Sequence, residues 1–327
     1  MIRILCRIWK EKKSPLMKIR MPFGYGFCAI FFLIIQFHST PSLAEKVPVI
    51  ASIFPLADMI QQVGGDHVEV TFVLPAGASP HTFEPKPSLL KKFSTARIFF
   101  MVGAGLEFWA EKFIDLTGPG LMTVVLSEGV DLIDTTGHTH KNYDRHKKFA
   151  DSEDRSTIAN PHIWLDPVIA KSMAKKIMDA LCEIDHQHLT YYKQRGQNYL
   201  KELDKLHRRI EATVASFKIK KYVSFHASWD YFARRYGLES VGVIEAAPGR
   251  NPTPKQIKNI VAMIKKYHIR AIFAEPQLNA RAAEIIAREA GVRALFLDPM
   301  GGSKQKNVHS YIDLMSYNIG VFKEAME

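Results

Sequence analysis

The chain has 327 residues, with 44 basic and 33 acidic side chains and three cysteines. Seven basic residues and one acidic residue lie within the first 44 positions, which leaves 37 basic and 32 acidic residues beyond them. Because this excess is small and no basic stripe is interleaved with aromatic residues, nucleic acid is excluded as a predicted partner. Beyond position 44 the sole cysteine is Cys182, which excludes an intramolecular disulfide there and is expected to be buried among apolar residues.

The N-terminal segment has the order of a secretory signal peptide. A basic stretch over residues 1–20 precedes an apolar run from about Phe23 to Phe37 and small residues that end at Ala44. The run is shorter than the roughly 20 residues that span a bilayer, which disfavours the alternative, a membrane anchor. Cys28 lies at the start of the run, which argues against lipid modification. We predict a signal peptide over residues 1–44 and a periplasmic product. Candidate translation starts are Met1, Met17 and Met21.

The next part of the chain, residues 45–185, alternates β-rich runs with helical stretches. The β-rich runs predict strands at Val49–Ile53, Val68–Leu74, Arg97–Val102 and Thr123–Leu126. Apolar residues at helical spacing predict helices over Pro55–Val63 and Pro87–Phe93. This alternation predicts a mostly parallel sheet covered by helices.

A long amphipathic helix is predicted next. From about Leu189 to Phe217 the chain has no proline and one glycine, and leucine or isoleucine recurs at three- and four-residue steps. Such a helix is roughly 40–45 Å long at about 1.5 Å per residue. A coiled-coil dimer segment is the alternative, but the leucine repeat is too short to favour it, so we expect a monomer. We predict that residues 186–218 form a rigid linking helix.

A second alternating region covers residues 219–327. Predicted strands are Tyr222–Phe225, Ser240–Val243, Ala271–Ala274 and Ala294–Leu297. Predicted helices are Trp229–Tyr236, Pro254–Tyr267, Ala280–Ala290 and Ser310–Ala325. The whole pattern predicts an α/β fold in which two βα lobes with mostly parallel sheets are joined by the long helix.

Four metal-ligating side chains occupy similar positions in this pattern. His81 and His162 lie in proline-marked turns, within LPAGASPHTFEP and NPHIWLDP, while His226 and Asp298 directly follow predicted strands. Because ligands of open α/β sheets bind beyond the carboxyl ends of strands, we expect the four to meet in the cleft between the lobes. No pair has the short spacing of an isolated zinc motif, so spacing alone does not establish a site.

The stretches around these residues resemble the periplasmic zinc- and manganese-binding proteins of ABC transporters, the cluster A-I family that includes metal-binding lipoprotein adhesins. GASPHTFEP, NPHIWLDP and FHASWDYFARRYGL resemble the loops of the first three ligands, and FAEPQ with LDPMGG resembles the last two strand ends. The similarity runs from IASIFPLADMI to the last helix. It implies that His81, His162, His226 and Asp298 bind the metal; water or another carboxylate is the alternative to Asp298.

The third ligand position favours zinc. Relatives that resemble manganese carriers have glutamate there, whereas this chain has His226, and zinc favours nitrogen ligands while manganese favours carboxylates. We therefore predict a zinc-binding protein that delivers Zn²⁺ to an ABC permease of the inner membrane; Mn²⁺ or Fe²⁺ is the alternative cargo. A zinc hydrolase is disfavoured because four protein ligands leave no open position for water. An adhesin is disfavoured because no surface anchor is evident.

A polar, charged insert over residues 135–159 predicts a flexible surface loop. Zinc-uptake members of the resembled family carry a loop rich in histidine and acidic residues at this point. The resemblance therefore implies a weak auxiliary zinc site at His138, His140 and His146. Neighbouring lysine and arginine residues would repel a cation, so the alternative is a tether whose histidines are incidental.

Other residues around the predicted ligands are given supporting roles. We expect Glu275 to hold a ligand loop in place, since metal ligands need oriented partners. Asp166 is expected to cap a helix that begins at Pro167 or Val168. Trp164 and Trp229 are expected to pack beside the ligand loops and limit the access of water.

Overall fold

The computed structural model describes residues 45–134, 139–140, 159–245, 251–302 and 308–327. The predicted signal peptide lies outside these ranges, as do His138 and His146 of the predicted auxiliary site. Within the described ranges, every helix is too short or too polar to cross a membrane.

The first sheet has the strand order β2-β1-β3-β4, and its pairs are parallel. Its strands are β1 (Val47–Ala51), β2 (Val68–Phe72), β3 (Ile98–Met101) and β4 (Met122–Val125). Helices α1 (Phe54–Gly64), α2 (Leu90–Phe93), α3 (Ala110–Thr117) and α4 (Pro167–Ile184) accompany it. Side chains alternate between the faces of β3, because Ile98 and Phe100 join the central core whereas Phe99 packs in an outer cluster with Phe93 and Phe113.

The predicted insert begins next to a small antiparallel pair of strands, β5 (Leu132–Ile133) and β6 (Thr139–His140). Asp134 and Ala159 form an isolated antiparallel bridge, so the two ends of the insert lie side by side. The strand at Thr139–His140 was not predicted from the sequence.

The long predicted helix is α5 (Leu189–Ala215), which follows α4 and has 27 residues, as the apolar repeat predicts. At about 1.5 Å per residue it is about 40 Å long. Its buried face includes Leu203, Leu206 and Ile210. Gly196 allows α5 to approach α4 closely, since a Cβ atom at this position would lie 2.6 Å from the Sδ atom of Met178.

The second sheet has the order β10-β9-β7-β8 and is also parallel. Its strands are β7 (Lys221–Ser224), β8 (Glu239–Val243), β9 (Ala271–Ala274) and β10 (Arg293–Phe296). Its helices are α6 (Asp230–Tyr236), α7 (Pro254–Lys266), α8 (Arg281–Ala290) and α9 (Tyr311–Met326). The predicted α/β class, with two parallel βα sheets and a long helix between them, is confirmed.

One hydrophobic core reaches from the first sheet to the second. It includes Phe100 of β3, Leu206 of α5, Tyr222 of β7, Phe273 of β9 and Phe322 of α9, all of them buried. The long helix therefore packs within a core that both sheets share. The predicted lobe boundaries at residues 185 and 219 stay a prediction.

Candidate metal centre

Three histidines from separate parts of the chain meet in one cavity. His81 lies in the loop after β2, His162 immediately precedes a 3₁₀ turn over Ile163–Leu165, and His226 lies two residues beyond β7. The Nε2 atom of His162 lies 3.2 Å from the Nε2 atom of His81 and 3.2 Å from that of His226. Ligand atoms of the three side chains all lie within 4.8 Å of one another.

This spacing matches that of ligands around zinc. Zn–N bonds of about 2.0–2.1 Å place two nitrogens of a tetrahedral site about 3.3–3.4 Å apart. The two Nε2–Nε2 distances of 3.2 Å are close to that value. A zinc ion at this spacing would accept the lone pair of each Nε2 atom.

Asn160 fixes the orientation of His162. The side-chain oxygen of Asn160 lies 2.8 Å from Nδ1 of His162 and accepts a hydrogen bond from the backbone N–H of the same residue at 3.0 Å. The Asn160 amide in turn donates to the backbone oxygen of Ala227 and to a carboxylate oxygen of Asp230. Because Asn160 accepts the proton of Nδ1, Nε2 of His162 presents its lone pair to the cavity.

Glu275 orients His226, as its predicted supporting role requires. Its Oε1 atom lies 2.6 Å from Nδ1 of His226 and accepts a hydrogen bond from the Ser228 hydroxyl at 3.1 Å. The Glu275 side chain is only 2% exposed. A buried carboxylate on the far nitrogen of an imidazole holds the ring in place and makes the other nitrogen a stronger ligand.

The protonation of the three rings differs because their surroundings differ. Burial, together with the charge of His226, lowers the pKa of His81 to about 4. Burial likewise lowers the pKa of His162 well below its ordinary value. Burial, the largest single effect, also lowers the pKa of His226, but the Glu275, Glu245 and Asp230 carboxylates together outweigh it, so the net pKa is raised. At neutral pH, His81 and His162 are therefore neutral and ready to bind a cation.

Asp298, the fourth predicted ligand, lies outside the group of three mutually close histidines. It is fully buried two residues beyond β10. Its Oδ1 atom accepts hydrogen bonds from the side chain of Gln277 and from the backbone N–H groups of Met300 and Gly301. Its Oδ2 atom is buried and has no hydrogen-bond partner among the described residues. The carboxylate thus has one satisfied oxygen and one that still needs a partner.

The cavity that contains the three histidines is bordered by the loop after β2 in the first sheet and by the segments after β9 and β10 in the second. Its other lining residues are Ser79, Pro80, Glu275, Gln277, Leu278, Pro299 and Met300. The indole N–H of Trp164 donates to the backbone oxygen of Pro299 at 2.7 Å, and the Tyr311 hydroxyl donates to the backbone oxygen of Trp164 at 2.6 Å. The loop of His162 is therefore tied directly to the loop that follows Asp298.

The remaining predicted residues are placed as follows. Trp164 lies beside the site, with its ring centroid 5.3 Å from that of His162, whereas Trp229 packs in the core against Phe232 and Phe322. Asp166 accepts hydrogen bonds from the first turn of α4, so its predicted capping role is confirmed. Cys182 is buried.

Sequence reasoning missed two contacts of the predicted ligands, that of Asn160 with His162 and that of Gln277 with Asp298. Asn160 and Gln277 both lie within predicted ligand stretches, in NPH and AEPQ, but nothing in their spacing shows which side chain they contact. For the predicted auxiliary site, only His140 falls within the described residues, in β6.

Residues 49–325 match the model of the family described as zinc-uptake complex component A, periplasmic. The chain belongs to this family. The zinc-uptake component A family consists of transport components, in agreement with the prediction that the chain is not an enzyme. The family resemblance drawn from the ligand loops is confirmed.

Individual relatives cover most of this chain. Zinc-binding protein AdcA of Streptococcus pyogenes serotype M3 is 27% identical over 312 residues, which cover 93% of this chain but 61% of AdcA. The high-affinity zinc uptake system protein ZnuA of Bacillus subtilis is 24% identical, and the match covers 88% of this chain and 90% of ZnuA. A crystal structure of ZnuA matches with a TM-score of 0.76 and 26% identity, covering 86% of this chain and 100% of that one. The chain thus spans about three fifths of AdcA and nearly all of the ZnuA proteins.

Proposed function

We propose that this protein captures Zn²⁺ with His81, His162, His226 and Asp298 and delivers it to an ABC permease for import. The observation that carries the proposal is the convergence of three histidines whose ligand atoms lie within 4.8 Å of one another, with His162 at 3.2 Å from each of the other two. A distance of 3.2 Å is close to the spacing of nitrogen ligands in a tetrahedral zinc site. Membership of the zinc-uptake component A family supports the same cargo and the same route.

Asp298 completes the ligand set in this proposal. A buried acceptor left without a partner costs about 1–3 kcal/mol, and more when it is charged. The buried Oδ2 atom of Asp298 is such an acceptor, and a divalent cation held by the three histidines would supply its partner. Three imidazoles and one carboxylate oxygen form the closed tetrahedral shell that suits zinc storage and transport rather than catalysis.

The proposed cargo is zinc rather than manganese because of the donor atoms. The group of mutually close ligand atoms consists of three imidazoles and contains no carboxylate. Mn²⁺ prefers oxygen ligands and a higher coordination number, whereas Zn²⁺ accepts nitrogen in a tetrahedron. His226, where manganese carriers of the resembled group have glutamate, is the residue that sets this preference.

The proposed site of action is the periplasm, after cleavage of the signal peptide behind Ala44. The order of basic, apolar and small residues in the first 44 positions and the periplasmic description of the family support this. We propose that the monomeric mature protein docks on its permease to release zinc. We also propose that His138, His140 and His146 hold a second, weaker zinc at the insert.

The test is a competition titration of residues 45–327 against a chromophoric zinc chelator, repeated with Mn²⁺. We expect tighter binding of Zn²⁺ than of Mn²⁺, and a loss of at least about 100-fold in zinc affinity for His162→Ala, since removing a ligand costs more than the 10–100-fold of a supporting residue. His309→Ala, which removes an exposed histidine, is the matched control and should bind like the unaltered protein. Tighter binding of Mn²⁺, or an unchanged affinity in His162→Ala, would overturn the proposal.

A further inference from the structure

The side-chain amide of Asn160 contacts two ligand segments at once. Its Oδ1 atom lies 2.8 Å from Nδ1 of His162 and accepts from the N–H of His162 at 3.0 Å. Its Nδ2 atom donates to the backbone oxygen of Ala227 at 2.6 Å and to Oδ2 of Asp230 at 3.1 Å. Because Ala227 directly follows His226, this buried amide joins the ring of one ligand to the turn that follows another.

The surroundings of the amide allow only one orientation of it. The Ala227 carbonyl and the Asp230 carboxylate accept hydrogen bonds, whereas the backbone N–H of His162 donates one. A flipped amide would place its oxygen against two acceptors and its nitrogen against a donor. The Asn160 oxygen must therefore face His162, and the four contacts use both N–H groups and both lone-pair positions of the amide.

The backbone of Asn160 is held independently of its side chain. Its N–H donates to the backbone oxygen of Ile133 at 2.7 Å, and its backbone oxygen accepts from the Tyr231 hydroxyl at 2.7 Å. The same hydroxyl accepts from the N–H of Ile133 at 3.0 Å. Because these bonds do not involve the side chain, substitution of Asn160 tests the amide rather than the path of the chain.

We propose that Asn160 is a positioning residue for two ligands: it selects the tautomer of His162 that binds zinc, and it holds the turn after His226 close to His162. The inference rests on the proposed function, in which both histidines bind the ion. An unconstrained imidazole places its proton mainly on Nε2, and the Asn160 oxygen reverses this preference by accepting from Nδ1. The nitrogen side of the same amide sets the spacing of the two rings, whose Nε2 atoms lie 3.2 Å apart.

An amide is required at position 160 because of the acceptors on its far side. A carboxylate there would still accept from His162, and carboxylates are common partners of metal-binding histidines. It would offer at most one donor to two acceptors, and its oxygen in place of Nδ2 would lie 3.1 Å from Oδ2 of Asp230 and repel it. Asn160→Asp should therefore weaken zinc binding although it keeps the contact to the ligand ring.

The experiment measures zinc affinity by chelator competition in Asn160→Leu and in a double-mutant cycle of Asn160→Asp with Asp230→Asn. Asn160→Leu removes every contact of the amide and should bind zinc about 10–100-fold more weakly, the effect of removing a residue that orients a metal ligand. Asn160→Asp should cost about tenfold in the presence of Asp230. In the Asp230→Asn background the same change should cost at least about threefold less, because an amide at position 230 can donate to the new carboxylate.

A second measurement determines the tautomer of His162 in the metal-free protein. The chemical shifts of the ring nitrogens distinguish a proton on Nδ1 from one on Nε2, and the signals of this residue are identified by their absence in His162→Ala. The proton should lie on Nδ1 in the unaltered protein and move largely to Nε2 in Asn160→Leu. Glu107→Gln alters a buried carboxylate that binds the N–H groups of Val102 and Gly103, and as the matched control it should change neither the tautomer nor the zinc affinity.

The outcomes separate this inference from the proposed function. An unaltered protein that does not bind zinc overturns the proposed function itself. An unaltered protein that binds zinc, together with an Asn160→Leu variant of equal affinity or an Asn160→Asp effect that is equal in both backgrounds, overturns this inference alone. An unchanged tautomer of His162 in Asn160→Leu also overturns it. Circular dichroism identifies a variant that fails to fold, and the remaining variants then decide.

Discussion

Replacing Glu275 by glutamine removes the charge behind His226 and keeps the shape of the side chain. The contact to Nδ1 of His226 is 2.6 Å long and the carboxylate is 2% exposed, so water screens the interaction little. Loss of such a partner weakens metal binding about 10–100-fold. We therefore expect Glu275→Gln to bind zinc less tightly at pH 7 by about 1.4–2.8 kcal/mol, since each tenfold change corresponds to about 1.4 kcal/mol.

The same substitution weakens zinc binding at pH 7 but should make the zinc affinity less sensitive to a fall in pH. In the metal-free protein Glu275 raises the pKa of His226 against the lowering effect of burial. As the pH falls through this raised pKa, a proton competes with zinc for His226, whereas His81 takes a proton only near its pKa of about 4. The unaltered protein should thus lose affinity with a slope of about one proton per zinc. In Glu275→Gln the pKa of His226 is lower, so this loss should begin at a lower pH.

Zinc competition between the protein and a chromophoric chelator, repeated at pH values from about 8 to about 4.5, measures both the affinity at pH 7 and its pH dependence. The lower limit is set by the pKa of His81. Glu239→Gln is the matched control, since this exposed carboxylate pairs with Lys221 away from the cavity. Unchanged affinity at pH 7, or an earlier loss of affinity as the pH falls in Glu275→Gln, would refute the role given to Glu275.

The remaining predictions concern the insert and the helix packing. Deleting residues 137–148 should remove any zinc bound beyond the first and leave the affinity of the first unchanged; equal stoichiometry before and after deletion, measured by mass spectrometry of metal content, would exclude the auxiliary site. Gly196→Leu should lower the free energy of unfolding by about 1–3 kcal/mol, because the added side chain must displace Met178. Gly320→Ala should raise it by about 0.5–1 kcal/mol, because this helical glycine has open space around it. Urea unfolding tests both, and a stable Gly196→Leu would contradict the close helix contact.

Local sequence patterns predicted the strands and the positions of the histidines well. Each strand of the two main sheets was expected, and the observed ends differ from the predicted ends by at most two residues. His226 was expected at the end of its strand because parallel sheets place ligands there, and the structure brings it to His81 and His162 as expected. These successes share one cause, since strand periodicity and strand ends are properties of neighbouring residues.

What escaped prediction depends on residues far apart in the chain or on weak local signals. The tie between Trp164 and Pro299 joins segments that meet only after folding. For the same reason the sequence predicted a supporting role for Glu275 but not its partner, His226. Helix α3 was also missed, although it is longer than α6, which was predicted. The inequality of the two Asp298 oxygens arises from Gln277 and two backbone amides, so the residue type alone could not reveal it.

The ties from Trp164 to Pro299 and from Tyr311 to Trp164 have a consequence for the timing of metal exchange. They hold the loop of His162 against the loop that follows Asp298 through contacts of the chain itself. Separating these two loops breaks buried hydrogen bonds, so we expect release of a bound ion between them to be slow. A partner that inserts between the loops of His162 and Asp298 would act as a catalyst of zinc dissociation, changing the lifetime of the bound ion without altering its ligands.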